Sequence, residues 1–280
     1  MIEARQLPFH MDRAEFEYFR SKIYSLAGIS LSDAKLDLLQ ARLRSRVSSI
    51  GMGSFGEYRS YLESLSQTDR EWETFINLLT TNKTDWFREP EHFNYIENEF
   101  LPKWFSLGKK HLSVWCAACS TGEEPYTLSL VLNEALKGTG ITYSILASDI
   151  DTKVLKIAQN GVYSRNVMYQ IPEKYQQTGF CLGTKEISSW MKVSKAIKGP
   201  VQFKHLNLTL QPFDLTEKFD LVLCRNVMIY FNPETVKNVV DGIYKVCDKN
   251  SVLIIAHSES LQSIHSSWKY HRPSIYFKGK

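Results

Sequence analysis

WCAACSTGEEPYTLSL, Trp115 to Leu130, decides the fold class. It opens on small and apolar residues and closes on an amphipathic helical pattern, with Ser120-Thr121-Gly122-Glu123-Glu124 between them. A loop of this kind just past a strand is where a doubly wound sheet binds nucleotides. A phosphate-binding loop, however, uses several glycines, a lysine, or a bare helix N-terminus aimed at the anion. Here there is one glycine and two carboxylates, so a phosphate is repelled.

Working outward, LSVWCAAC (112–119), ITYSILASDID (141–151), FDLVLCRNVMIYF (219–231) and SVLIIAHSESL (251–261) read as strands, with SIYFK (274–278) closing the chain. EEPYTLSLVLNEAL, TKVLKIAQNGVY and PETVKNVVDGIYKVC read as the helices between them. That alternation predicts a parallel sheet with helices on both faces, and binding at the carboxyl ends of its strands. The stretch from about 162 to 205 breaks the rhythm with Gly183, Gly199, Pro200 and short alternating runs, and predicts a small β insertion.

Upstream, residues 12 to about 80 read as helices, beginning with Phe16, Phe19, Ile23 and Leu26 at the helical period. Ser32 or Asp33 can cap the next helix, KLDLLQARLRSRV. On it Lys35, Arg42 and Arg46 fall within about 40° of one another. Leu36, Leu43 and Val47 form an adjoining apolar stripe.

The 280 residues carry a net charge of +4, 43% hydrophobic and 23% charged residues. These are ordinary globular values and do not by themselves call for nucleic acid. No apolar run approaches the roughly 20 residues of a membrane span, and the N-terminal stretch has no signal-peptide core. Five scattered cysteines are not a disulfide framework. The expectation is a reduced, cytoplasmic protein without membrane insertion. Cys116-x-x-Cys119 has no second pair, so no metal is expected from it.

ASDID places Asp149 and Asp151 at a strand end, about 27 residues beyond Gly122. An acid there accepts the two hydroxyls of a ribose. A ligand with a ribose, no phosphate and a cationic centre is S-adenosylmethionine, whose ammonium and sulfonium suit carboxylates. Glu123 and Glu124 also read as acids complementing a helix N-terminus, and Asp149 as a turn residue.

TTNKTDWFREPEHF (80–93), WCAACSTGEEPYTLSL, ASDIDTKVLKIAQNGVY and FDLVLCRNVMIYFN together resemble the signature blocks of the CheR-type methyltransferases. These bacterial enzymes methyl-esterify glutamates on chemoreceptors. The resemblance implies an α/β protein: an all-helical domain (1–80) for receptor docking, a linker (81–110) contributing to the cofactor site, and a Rossmann-like class I methyltransferase domain (111–280). The last carries the small β-subdomain, inserted late in the sheet. It also implies that Asn82, Thr84, Arg88, Glu124, Asp149, Asn207, Leu208, Arg225 and Asn226 contact S-adenosyl-L-methionine, with S-adenosyl-L-homocysteine as product. Arg88 and Tyr230 are then the candidates for the reacting centre. Lys35, Arg42 and Arg46 become a docking edge for the glutamate-rich helical bundle of a chemoreceptor, engaged by a monomer. Trp86 stands where the block usually has Phe. Nothing in GTKEISSWMKVSKAIKGP identifies the subdomain as a holder of a receptor's C-terminal peptide, as it is in some members.

Outside that resemblance, Arg88 reads as a surface arginine paired with Glu89, and Tyr230 as a core residue. Two rivals stand beside it: a methyltransferase acting on another protein or on nucleic acid, and a catalytically silent S-adenosylmethionine-binding module. A nucleic-acid enzyme normally has an N/D-P-P-Y/F loop or a nucleophilic cysteine where this chain has RNVMIYFNPE.

Overall fold

The computed structural model describes residues 10–279, which fall into two compact units. The smaller holds the chain as far as Thr81 together with Tyr230–Asn232, and the larger holds Asn82–Ile229 and Pro233–Lys280. None of the described helices is long and apolar enough to cross a membrane.

Four helices build the smaller unit: α1 (Arg13–Ala27), α2 (Leu36–Ser49), α3 (Phe55–Ser64) and α4 (Arg70–Leu79). A reciprocal box starts α1: Asp12 accepts from the Glu15 amide at 2.7 Å, and Glu15 accepts from the Asp12 amide at 2.8 Å. Gly28, at φ 69°, ends it. The buried face of α1 is Phe16, Phe19, Ile23 and Ala27, so the 3.6-residue period closes on Ala27 and leaves Leu26 half-buried. Phe19 stacks on Tyr58 with ring centroids 5.9 Å apart and meets Phe55 and Phe75 at 6.3 and 6.1 Å. Ser32 precedes a 3-10 turn, Asp33–Lys35, without donating or accepting a side-chain cap, and α2 buries Leu39, Gln40, Leu43 and Val47.

Two of the three cations expected on the docking edge have partners inside this unit. Arg42 donates to the carbonyls of Leu79 (2.6 Å) and Thr80 (2.9 Å) and to Thr81 Oγ1 (2.8 Å), capping the end of α4. Arg46 Nε donates to Glu71 Oε1 at 2.9 Å, and its Nη2 pairs with the other oxygen of that carboxylate. Glu71 is 4% exposed and also accepts from Tyr58 Oη at 2.8 Å. Burial, first, and this carboxylate push the Tyr58 hydroxyl's pKa well up. Lys35 is exposed.

The larger unit is a three-layer α/β domain. Its seven strands run in the order β6-β2-β1-β7-β8-β10-β9. They are β1 (His111–Cys116), β2 (Thr142–Asp149), β6 (Val201–His205), β7 (Phe219–Leu223), β8 (Cys247–Ile254), β9 (Trp268–Arg272) and β10 (Ile275–Lys278). The first five in spatial order are parallel, and β10 and β9 are antiparallel. The sheet is therefore mixed, where the sequence pattern predicts a parallel one. WKYHR, whose first residue alone is fully buried, carries too weak an alternation to mark β9. Parallel neighbours are joined through α7 (Glu123–Ala135), α8 (Thr152–Asn160) and α11 (Pro233–Val246). The sheet interior is largely apolar; all five residues of β7 are buried, with Asp220 among them paired to Lys109.

Two expected boundaries move. The β-subdomain is the antiparallel sheet β3 (Val162–Ser164), β5 (Trp190–Val193) and β4 (Phe180–Leu182), with α9 (Glu173–Gly179) between β3 and β4. It ends near residue 193; after α10 (Lys195–Lys198), Val201–His205 is β6, pairing with β2 at the edge of the main sheet. The insertion thus lies early, between β2 and β6, rather than late. The expected linker at 81–110 is mostly helical: α5 (Pro90–Tyr95), a π-helical stretch (Ile96–Phe100) and α6 (Leu101–Phe105). It packs Phe93, Ile96, Phe100, Leu101 and Trp104 into the main core.

Glu71→Gln leaves Arg46 and Tyr58 facing a neutral amide. With Arg46 30% exposed on its side chain, the loss is discounted to about 2 kcal/mol. Urea unfolding of the full chain followed by tyrosine and tryptophan fluorescence checks it; a midpoint equal to wild type contradicts it.

Candidate active site

Three strand ends meet at the carboxyl edge of the sheet. After β1, the amide of Ala117 donates to Leu223 O (2.8 Å) and that of Cys119 to Ser148 O (2.9 Å), stitching the loop between its neighbours. Ser120 then turns through φ 49°, and its amide donates to Asp149 Oδ2 at 2.8 Å. Gly122 caps α7 at φ 100°. A Cβ there stands 2.7 Å from Tyr163 Oη and 2.9 Å from Ala158 Cβ, so only glycine fits. The loop's lone glycine is thus a packing requirement against α8 and β3.

Asp149 is 8% exposed. One oxygen takes the Ser120 amide and the other the Asp151 amide at 3.0 Å. A carboxylate has about four acceptor positions, so Asp149 keeps acceptor capacity for a hydroxyl. Burial raises the carboxyl's pKa, opposed by these amides. Asp151 is the N-cap of α8, accepting from Lys153 (2.9 Å) and Val154 (3.2 Å), and its other oxygen accepts from Asn82 Nδ2 at 2.6 Å. The Asn82 carbonyl accepts from Ser120 Oγ at 2.8 Å. The structure therefore brings Asn82, the STGEE loop and the β2 acids into one network. Thr84 is half-buried two residues on.

Arg225 follows β7 and is buried to 1% side-chain exposure. Its Nη1 donates to Glu124 Oε2 at 2.8 Å, while Nη2 lies 3.3 Å from Glu89 Oε2 and donates to the Arg88 carbonyl at 2.5 Å. Glu89 is thus the partner of Arg225 and not of Arg88, whose Nη1 instead donates to the Lys83 carbonyl at 3.1 Å. Burial, opposed chiefly by Arg225, raises the Glu124 pKa. Glu123 is raised by burial too and accepts from Thr121 Oγ1 at 2.6 Å. Phe87 and Glu89 both hold positive φ, 52° and 57°, bracketing Arg88 in a strained turn.

Asn226, at φ 58°, follows Arg225. Glu259 went unassigned in the sequence, yet its buried carboxylate accepts from the amides of Asn226 (3.2 Å), Val227 (3.0 Å), Met228 (2.8 Å) and Ala256 (2.8 Å). An acid set just past the apolar run SVLIIA was the only signal for it. At the far strand, Asn207 Oδ1 accepts from the Thr209 amide at 2.9 Å and Leu208 is buried, forming a turn after β6. Tyr230 lies in a 3-10 turn, Met228–Tyr230, and belongs to the smaller unit, where its carbonyl accepts from the Ser30 amide at 2.8 Å.

The donor set fits S-adenosylmethionine. The loop amides and Asp149 suit hydroxyls, the carboxylates suit a cation, and the one arginine buried among the described residues is already paired with Glu124 and Glu89. Fold, strand order and site together define an S-adenosylmethionine-dependent methyltransferase. The family model described as "CheR methyltransferase, SAM binding domain" matches residues 82–276, and "CheR methyltransferase, all-alpha domain" matches 14–80. The chain belongs to the CheR methyltransferase family. Among its relatives are chemotaxis protein methyltransferase 2 of Pseudomonas aeruginosa, 34% identical over 92% of this chain and 90% of the relative. The chemotaxis protein methyltransferase of Salmonella typhimurium is 33% identical (95% and 91%), and that of Borreliella burgdorferi is 34% identical (91% and 91%).

Gly122→Ala is expected to cost about 1–3 kcal/mol from the positive φ and the overlap with Tyr163 and Ala158. Calorimetry should show weakened S-adenosylmethionine binding, and wild-type affinity would contradict the assignment. Arg225→Met leaves two half-buried carboxylates without their cation and should cost about 2–4 kcal/mol. Adding Glu124→Gln should recover part of that loss in denaturant unfolding. A double variant no more stable than the single one argues against the pairing.

Proposed function

We propose that the chain transfers methyl groups to glutamate side chains on the cytoplasmic domains of bacterial chemoreceptors, as a cytoplasmic monomer serving chemotaxis adaptation. The observation carrying this reading is the near-full-length likeness to relatives named chemotaxis protein methyltransferases. The residues support a carboxylate acceptor in particular. S-adenosylmethionine, when bound, supplies an electrophilic methyl group on a sulfonium. A glutamate is ionised at neutral pH, its ordinary pKa being near 4.3, so no general base is needed. The protein's task is to strip water from that carboxylate and aim it.

Arg88 can hold an acceptor carboxylate through two parallel hydrogen bonds. Its backbone is set by Arg225 and its guanidinium is steadied by Lys83. Tyr230 can add one hydroxyl donor. Asn82, Thr84, Glu124, Asp149, Asn207, Leu208, Arg225 and Asn226 form the proposed cofactor pocket. Asp149 takes the ribose hydroxyls, Asn207 and Leu208 flank the adenine, and Glu124 orders the amino acid end through Arg225. Orientation of this kind supplies several kcal/mol of a displacement barrier, up to roughly 7–11 in ideal cases. The attacking carboxylate and the sulfonium neutralise each other, which a dry site favours.

Docking of the acidic receptor bundle falls to the α2 edge. Arg42 and Arg46 also hold α4 and Glu71, so reversing their charge tests folding and docking together. Lys35, which is exposed, separates the two.

Tritiated methyl transfer to purified chemoreceptor cytoplasmic domains, followed by a mild alkaline chase, is expected to release the label as methanol. Alkali-stable label, or label on nucleic acid alone, overturns the glutamate ester. Lys35→Glu is expected to slow transfer severalfold at low salt, with the difference shrinking as salt rises, and to leave S-adenosylmethionine affinity intact. An unchanged rate at low salt removes Lys35 from docking.

A further inference from the structure

At the carboxyl edge of the sheet, Glu89, His92 and His257 bring one carboxylate and two imidazoles together, each offering one ligand atom within 4.8 Å of the others. Glu89 stands at the start of α5 and His92 three residues on, with His92 Nδ1 at 3.4 Å from Glu89 Oε2. His257 comes from the turn after β8; its amide donates to the same oxygen at 3.2 Å, and its ring meets that of His92 with centroids 4.7 Å apart.

We propose that these three residues form a binding site for a divalent transition-metal ion of the zinc class. Two imidazoles and one carboxylate are the protein ligands of an open zinc site, which leaves a further position for water or an exogenous group. His92 supplies the independent observation. It is 2% exposed, and neither ring nitrogen has a hydrogen-bond partner among the described residues. A buried imidazole normally has both nitrogens satisfied, so this one carries unspent donor and acceptor capacity beside a carboxylate. The other imidazole, His257, is exposed, so its ring can rotate to shorten the separations to the roughly 3 Å that ligands of one ion adopt.

The electrostatics allow a dication. Arg225 touches Glu89 and opposes it, but Glu124 neutralises Arg225 from the other side, leaving one net negative charge among the three groups. Coordination draws on Glu89, which is also an anchor of Arg225. An ion bound here therefore competes with the guanidinium for one carboxylate and leaves Glu124 and the Arg88 carbonyl holding it. The site stands on its own residues and does not depend on which protein accepts the methyl group.

The test is a titration of the metal-stripped full chain with Co2+, read by visible absorption and repeated by calorimetry with Zn2+. The expected result is one ion per chain with a ligand-field spectrum of nitrogen and oxygen donors and no sulfur-to-cobalt charge-transfer band. His257→Ala, an exposed change that spares the core, is expected to weaken binding about 100-fold or more, since even outer partners of a ligand cost about 10–100-fold. Glu89→Gln should weaken it comparably, and His265→Ala, on another exposed segment, should leave it unchanged. Absence of binding overturns the site. So does a charge-transfer band, which moves the ion to the cysteines, or stoichiometric binding that survives His257→Ala.

Discussion

The cofactor end of the larger unit depends on one buried guanidinium. Arg225 leaves β7 and is gripped by Glu124 at the start of α7 and by Glu89 and the Arg88 carbonyl from the segment before α5. A charge buried this deeply is tolerated only when paired and hydrogen-bonded. The pairing joins two segments about 35 residues apart in the chain, Arg88–Glu89 and Glu123–Glu124, to a third about 100 residues further on. Removing one member strands the others, so the STGEE loop, the motif before α5 and the end of β7 stand or fall as a unit. Arg88 gains its setting indirectly: its carbonyl is fixed by Arg225, and the positive φ of Phe87 and Glu89 on either side is sustained by that anchoring.

A second carboxylate does the same for backbone alone. Glu259 gathers the amides of Asn226, Val227, Met228 and Ala256, donors that the end of a strand otherwise leaves unsatisfied. Burial alone raises its pKa, and the converging amides oppose that rise. Asp149 and Asp151 repeat the device after β2, one serving the Ser120 and Asp151 amides and the other capping α8 and holding Asn82. Acids thus shape the site largely by organising the main chain.

Much of this was legible in the sequence. The strand–loop–helix around STGEE, the acid after the second strand and the helical periodicity before residue 80 each rest on local patterns with one physical meaning. The long-range pairings were not. Glu89 looks like the natural partner of Arg88 because it is adjacent, yet the turn at positive φ sends it to Arg225, 136 positions away. Arg42 and Arg46 show a basic edge on a helical wheel, and the wheel cannot say that α4 supplies carbonyls to one and a buried glutamate to the other. The insertion's end was missed because Val201–His205 is short and only its first residue is fully buried; its role as an edge strand is fixed by pairing with β2.

The arrangement also bears on the proposed methyl transfer to a carboxylate. Attack by an anion on a sulfonium destroys two charges, so a low-dielectric surround speeds it, provided the anion can be brought in and held. Carboxylates lining the pocket oppose the arrival of a second anion unless they are already committed. Here Glu124 and Glu89 are spent on Arg225, Asp151 on α8 and Asn82, and Glu259 on backbone amides. Among the described residues Arg88 has no ion pair, and its Nη1 donates to a neutral carbonyl. Arg88 is therefore a cation open to the carboxylate of the proposed acceptor, beside acids whose charge Arg225 balances only in part.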